Sequence, residues 1–122
     1  MKLFLVLGAL NGFLAVALGA FGAHGLEGRL SEKMLSTWDK AVTYQMFHTM
    51  ALFVTALVAM KVNQGPLQSA GWFFFIGILL FSGSLYIYST TSVKLFAMIT
   101  PLGGVSFLIG WILLGYAMIK YL

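Results

Sequence analysis

The stretch YQMFHTMAL, residues 44–52, sets a tyrosine, a glutamine and a histidine at the head of an apolar run. The imidazole of His48 has the widest chemistry of the three, since it titrates near neutrality, ligates metals and both donates and accepts hydrogen bonds. Two readings of it follow. In one, His48 with Tyr44, Gln45 and Thr55 on its helix face forms a proton-responsive or ligand-contacting site. In the other it is a neutral histidine that cross-bonds helices, stabilising by about 1 kcal/mol or less per bond. The second is preferred.

The rest of the chain adds little chemistry to it. His24 ends the first apolar run towards the same membrane side as His48, which raises bis-histidine haem ligation. Haem needs paired axial ligands and a roomy pocket, and the glycines described below predict tight packing instead, so no cofactor is expected. Zinc held by these histidines with Glu27 or Asp39 lacks any recognised ligand spacing, so no metal is expected either. No Asp or Glu lies within an apolar run, there is no cysteine, and the serines have no nearby acid and base. H-E-x-x-H and the phosphate-binding glycine patterns are absent. An enzyme is not expected. The net charge of +4 comes from scarce acids, with seven Lys and Arg scattered from Lys2 to Lys120, which argues against nucleic acid as a partner.

The elements that carry these residues are legible from composition. Of the 122 residues, 61% are hydrophobic and only 8% charged, against roughly 25% charged in a soluble domain. A hydrocarbon layer about 30 Å thick takes around 20 apolar residues of helix to cross. Four runs qualify, at about 3–23, 41–61, 70–90 and 95–119. The first exceeds a signal-peptide core and is read as a retained helix. Short alternating segments, as in a membrane barrel, are missing. The fold predicted is an all-α, integral membrane four-helix bundle in a single domain, its neighbours antiparallel across the short connections KVNQGPLQS and TTSVK. In the longer connection, HGLEGRLSEKMLSTWDK, residues Leu26, Leu30, Met34 and Trp38 recur every four positions among charges. This predicts an amphipathic interfacial helix over about 31–40, with Ser31 as N-cap and Trp38 as interface anchor. The alternative is a helical extension of the second span.

Helix faces then sort the side chains. Gly8, Gly12, Ala15, Gly19 and Gly22 step by four and three residues and predict a packing seam, with Val6, Leu10, Phe13 and Phe21 opposite. Gly25 suits a left-handed cap after His24, whose charge would favour the negative end of the helix dipole. On the second span, Ala41, Tyr44, Gln45, His48, Leu52, Thr55 and Ala59 share one sector and should face the bundle, while Met46, Met50, Phe53, Val54 and Leu57 should face lipid or another subunit. Asn11 borders the glycine seam and should face inwards, although its depth sets it away from His48. FSGSLY, residues 81–86, offers Gly83 for close approach and the hydroxyls of Ser82 and Ser84 for bonds back to a helical carbonyl. TPLGG, residues 100–104, brings Gly103 and Gly104 for packing and Pro101, at which the helix either kinks or starts with Thr100 as cap.

GAFGAHGL (19–26), YQMFH (44–48), FSGSLY (81–86) and TPLGG (100–104) resemble, in order and spacing, the characteristic stretches of the small four-helix bacterial membrane proteins known as domain of unknown function 423. The resemblance covers nearly the whole chain. It implies a four-span protein of the bacterial cytoplasmic membrane, and implies no reaction, cofactor or substrate.

The functional expectation is a non-enzymatic membrane protein with a structural, membrane-stabilising or partner-organising role. Its partners would be membrane lipids, further copies of itself and an unidentified membrane protein. The competing expectation is a carrier of a small solute or proton past Asn11, Gln45 and His48. Lys2, Lys61 and Lys120 share one side and Arg29, Lys33, Lys40 and Lys94 the other, a near tie that leans to cytoplasmic termini.

Overall fold

The structure, a computed structural model, describes residues 1–63 and 65–122. Among the described residues, four helices are long and apolar enough to cross a membrane: α1 (Lys2–His24), α2 (Glu32–Lys61), α3 (Gly65–Thr91) and α4 (Lys94–Tyr121). Each satisfies its backbone internally, as a lipid environment demands. The turns between them are short. Gly28 takes a left-handed φ of 81° before α2, and Ser92 takes one of 59° to close α3.

α1 packs along α2, and α3 along α4, with the two pairs joined where α2 meets α3; α2 and α4 touch only sparsely. The centre is filled by Phe4, Leu52, Leu67 and Phe74, all but sealed from the surface. Lipid tails solvate leucine as well as protein does, so close contact rather than burial from water must hold the helices together. Glycine supplies that contact. The aromatic ring of Phe53 lies against Gly8, Trp38 against Gly22, Phe4 against Gly71, Phe107 against Gly77 and Phe74 against Gly110. At Gly103 the neighbour is the backbone of Phe81 itself. The α1 seam is therefore real at Gly8, Ala15 and Gly22, but it receives rings where a backbone was expected. Gly19 touches Val42, and Gly12 meets only the Thr49 methyl, at ordinary contact distance. Gly83 and Gly104 do not carry close packing: a Cβ at either would find its nearest neighbour 3.9 Å away.

Several expectations are corrected. The segment 31–40 is helical and amphipathic, with the Ser31 side chain accepting from the Met34 amide at 3.2 Å. It is, however, the unbroken start of α2 rather than a separate element. Its apolar face turns inward because Trp38 finds a better partner than a headgroup: the indole N–H donates to the Leu18 carbonyl at 2.8 Å, and the ring packs between Phe21 and Tyr86. Leu26 and Val42 complete this second cluster. Gly25 keeps a right-handed conformation with φ −95°, its amide still bonded to the Phe21 carbonyl, so the left-handed position falls at Gly28 instead. α4 runs through Pro101, so no helix begins there. Nor is α3 a regular helix. It widens to π geometry over Ile78–Gly83, beside the point where Gly103 brings α4 closest.

Candidate functional site

His48 lies where α2, α3 and α4 converge. It is buried, and its ring is stacked on Phe107 with centroids 3.5 Å apart and planes within 6°. Both ring nitrogens are engaged. Nδ1 lies 2.8 Å from the Tyr44 carbonyl, which can only accept, and Nε2 receives the Trp111 indole N–H at 3.1 Å, which can only donate. These partners fix one tautomer: neutral, protonated on Nδ1. The arrangement is the cross-bonding histidine, with no nitrogen left over for a ligand. His24 does not join it. It stands exposed at the end of α1, contrary to the bundle-facing position expected, because α1 ends there, two residues and about half a turn past Gly22, the residue that faces Trp38.

A second set of polar groups forms a directed chain across three helices. Tyr86 on α3 donates to Gln45 Oε1 at 2.7 Å, Gln45 Nε2 donates to Asn11 Oδ1 at 3.0 Å, and Asn11 Nδ2 donates to the Leu7 carbonyl at 2.8 Å. Asn11 thus pairs with Gln45, not His48. Ser82 reaches across to the Ala41 carbonyl at 2.7 Å rather than back along its own helix; the π turn sets it facing α2. Ser84 donates to the Phe81 carbonyl and meets Thr100 on α4. Thr55, fully buried, bonds back to Ala51 within α2. Among the described residues no buried side-chain nitrogen or oxygen lacks a partner.

Because α2 and α4 barely meet, a groove of about 750 Å³ opens between them. Phe81 and Phe107 line its floor, Tyr44, Phe47 and Trp111 its walls, and Pro101 its upper end. Tyr44, expected inside the bundle, is 40% exposed at this rim, stacked on Phe81. The groove faces the lipid-exposed side of the molecule, flanked by Phe47, Val105 and Leu108, each more than half exposed.

The family model for "Protein of unknown function (DUF423)" matches residues 18–104. The chain belongs to this family. It is 54% identical over 123 residues to the UPF0382 membrane protein YwdK of Bacillus subtilis, covering all of both chains. To the UPF0382 membrane proteins SERP0230 of Staphylococcus epidermidis and SH2409 of Staphylococcus haemolyticus it is 51% and 46% identical, each over 99% of this chain and 98% of the relative. No solved structure matches it. With four candidate spans and relatives named as bacterial membrane proteins, this DUF423 member is a multi-pass membrane protein.

In this DUF423 protein the partners missed at the sequence level are Trp111, Phe107 and Tyr86. Tyr86 closes the FSGSLY stretch and sits one π-shifted turn from Ser82, so its inward aim depends on a helix distortion that periodicity does not reveal. Trp111 had only its own type as a signal: an indole N–H deep in an apolar run needs an acceptor, and His48 Nε2 supplies one.

Proposed function

We propose that this protein is a non-enzymatic component of the membrane that works by packing: a rigid four-span unit that stabilises or organises its lipid surroundings or a membrane partner. The single observation that supports it is the use made of the interior polar groups. Asn11, Gln45, Tyr86, His48 and Trp111 spend their hydrogen bonds on one another and on backbone carbonyls, so none of these five is kept for a passing solute. A transporter holds polar or ionisable groups ready in a wet route or at broken helices. The lateral groove is apolar and opens to lipid, which suits that reading no better.

The proposal extends to self-association through the exposed apolar faces of α1 and α2, where Phe13, Met50 and Leu57 stand clear of the bundle. Nucleic acid has no place in it. Reconstitution into liposomes tests the first part: proton and small-solute flux should equal that of protein-free vesicles and stay unchanged in His48→Ala. Flux that depends on His48 would replace this reading with the carrier. Crosslinking at falling protein-to-lipid ratio tests the second, and monomer at every ratio would remove it.

A further inference from the structure

The geometry points to the groove between α2 and α4 as a binding site for one anionic phospholipid, its acyl chain lying in the groove and its phosphate held by Lys33, Lys40 and Lys94. The charge placement argues for this occupant. On α2, Lys33 and Lys40 precede the groove wall residue Phe47 by two heptads and one; on α4, Lys94 precedes Pro101, and Pro101 precedes Leu108, by one heptad each. Residues seven apart on a helix drift by only about 20°. All three lysines therefore stand on the groove-bearing faces of the two helices, at its upper end, and all three are exposed.

The acids of the same region point elsewhere. Asp39 and Glu27 line a separate shallow pocket of about 310 Å³ under the end of α1, together with Trp38. Glu32 is one residue from Lys33 and so lies about 100° around α2 from it. The acids of α2 therefore lie towards the Thr43 edge of the groove, and the lysines on the faces of Phe47 and Pro101.

Depth agrees with the charge. From Pro101 to Trp111 the groove runs ten residues of α4, about 15 Å at about 1.5 Å per residue, or half a hydrocarbon layer about 30 Å thick. Its lower end is closed by Trp111 bonded to His48. Lys40 stands one turn above Tyr44, at the edge of the apolar part of α2, and Lys94 about 10 Å above Pro101, within headgroup reach for snorkelling side chains. Thr43 and Tyr44 line the groove on this side, between phosphate and chain. An acyl chain needs an apolar slot open along the membrane plane, and this slot has that form. The inference is independent of whether the protein self-associates or carries a solute.

Fluorescence of the full-length protein in nanodiscs tests it, in a Trp72→Phe background that leaves buried Trp38 and groove-lining Trp111. Phosphatidylglycerol brominated on its acyl chain should quench Trp111 more than equally brominated phosphatidylcholine, by a binding preference of fivefold or more, since each lysine near an anionic surface contributes on the order of fivefold. The preference should vanish in Lys33→Gln/Lys40→Gln/Lys94→Gln. Quenching by both lipids should fall in Gly104→Leu, which adds bulk to the groove lining at a position where a Cβ would make only an ordinary contact, 3.9 Å from the Phe81 ring. Equal quenching by the two lipids, a preference that survives loss of the lysines, or quenching indifferent to Gly104→Leu would each overturn the assignment. So would efficient crosslinking of Val105→Cys between copies at high lipid dilution, because the groove would then hold a second chain. Flux through liposomes remains a separate readout, so failure here leaves the packing proposal standing.

Discussion

Trp111 on α4 donates its indole N–H to Nε2 of His48 on α2 across 3.1 Å, and Phe107, one turn before Trp111, lies flat on the same imidazole. This is the main bridge over the gap between two helices that otherwise scarcely touch, and it forms the lower end of the lateral groove.

The bridge makes a spectroscopic prediction. Since Tyr44 O and Trp111 N–H each permit only one role to their nitrogen, His48 should show two distinct ring-nitrogen signals at neutral pH, with the proton on Nδ1. Nitrogen-15 NMR of the protein in lipid checks this. Trp111→Phe keeps the aromatic bulk and removes the donor, so it should cost about 1 kcal/mol or less of stability, the usual worth of a hydrogen bond between membrane helices, and should release the tautomer preference. A pair of equivalent nitrogen signals, as in imidazolium, would contradict the assignment.

The chain from Tyr86 through Gln45 to Asn11 should behave as a coupled unit. Gln45→Leu strands both the Tyr86 hydroxyl and Asn11 Oδ1, so its cost should fall substantially once Asn11 is already leucine. A double-mutant cycle in mixed micelles should give a coupling of about 0.6 kcal/mol, reaching about 1.7 at most. Additive losses would mean that the two side chains do not share a bond in the membrane.

Two glycines of α4 should respond in opposite directions to alanine. At Gly103 a Cβ would meet the backbone of Phe81, which cannot move aside, so Gly103→Ala should cost about 1–3 kcal/mol through forced separation of α3 and α4. At Gly115 a Cβ would meet nothing within 4 Å, and Gly115→Ala should stabilise by up to about 1 kcal/mol through helix propensity and the stiffer unfolded chain. Thermal or denaturant unfolding of both variants side by side checks the contrast.

That contrast also marks what was readable beforehand. The four spans, the outward Met46, Met50, Val54 and Leu57 of α2 and the inward Gln45 and His48 follow from length and period alone, because lipid penalises polar side chains wherever the helix turns them out, whereas Phe53, expected on that outward face, packs against Gly8 instead. Which glycine receives what does not follow. Gly12 and Gly22 belong to one stripe, yet only Gly22 seats a ring, since that depends on which residue of α2 comes opposite. The π turn at Ile78–Gly83 leaves no periodic mark, and with it went the partners of Ser82 and the importance of Tyr86. Tyr44 looked interior by its sector, but a sector is a direction, and the direction led to a groove.

The first turns of α2 pack around one side chain, Trp38. Residues 32–40 lie outside the uncharged stretch of α2, and a helix segment of this length is not stable alone in water. What holds it is Trp38, through its bond to the Leu18 carbonyl and its seat on Gly22. Trp38→Phe keeps most of the ring contact with Tyr86 but removes the hydrogen bond, a loss of about 1 kcal/mol. Trp38→Ala removes both. Hydrogen exchange of the protein in nanodiscs should therefore show faster exchange at the amides of residues 34–40 in Trp38→Phe and near-complete loss of protection there in Trp38→Ala, with residues 45–58 unchanged in both. If protection of 34–40 survived Trp38→Ala, the segment would be held by the headgroup layer instead, as a separate interfacial helix would be.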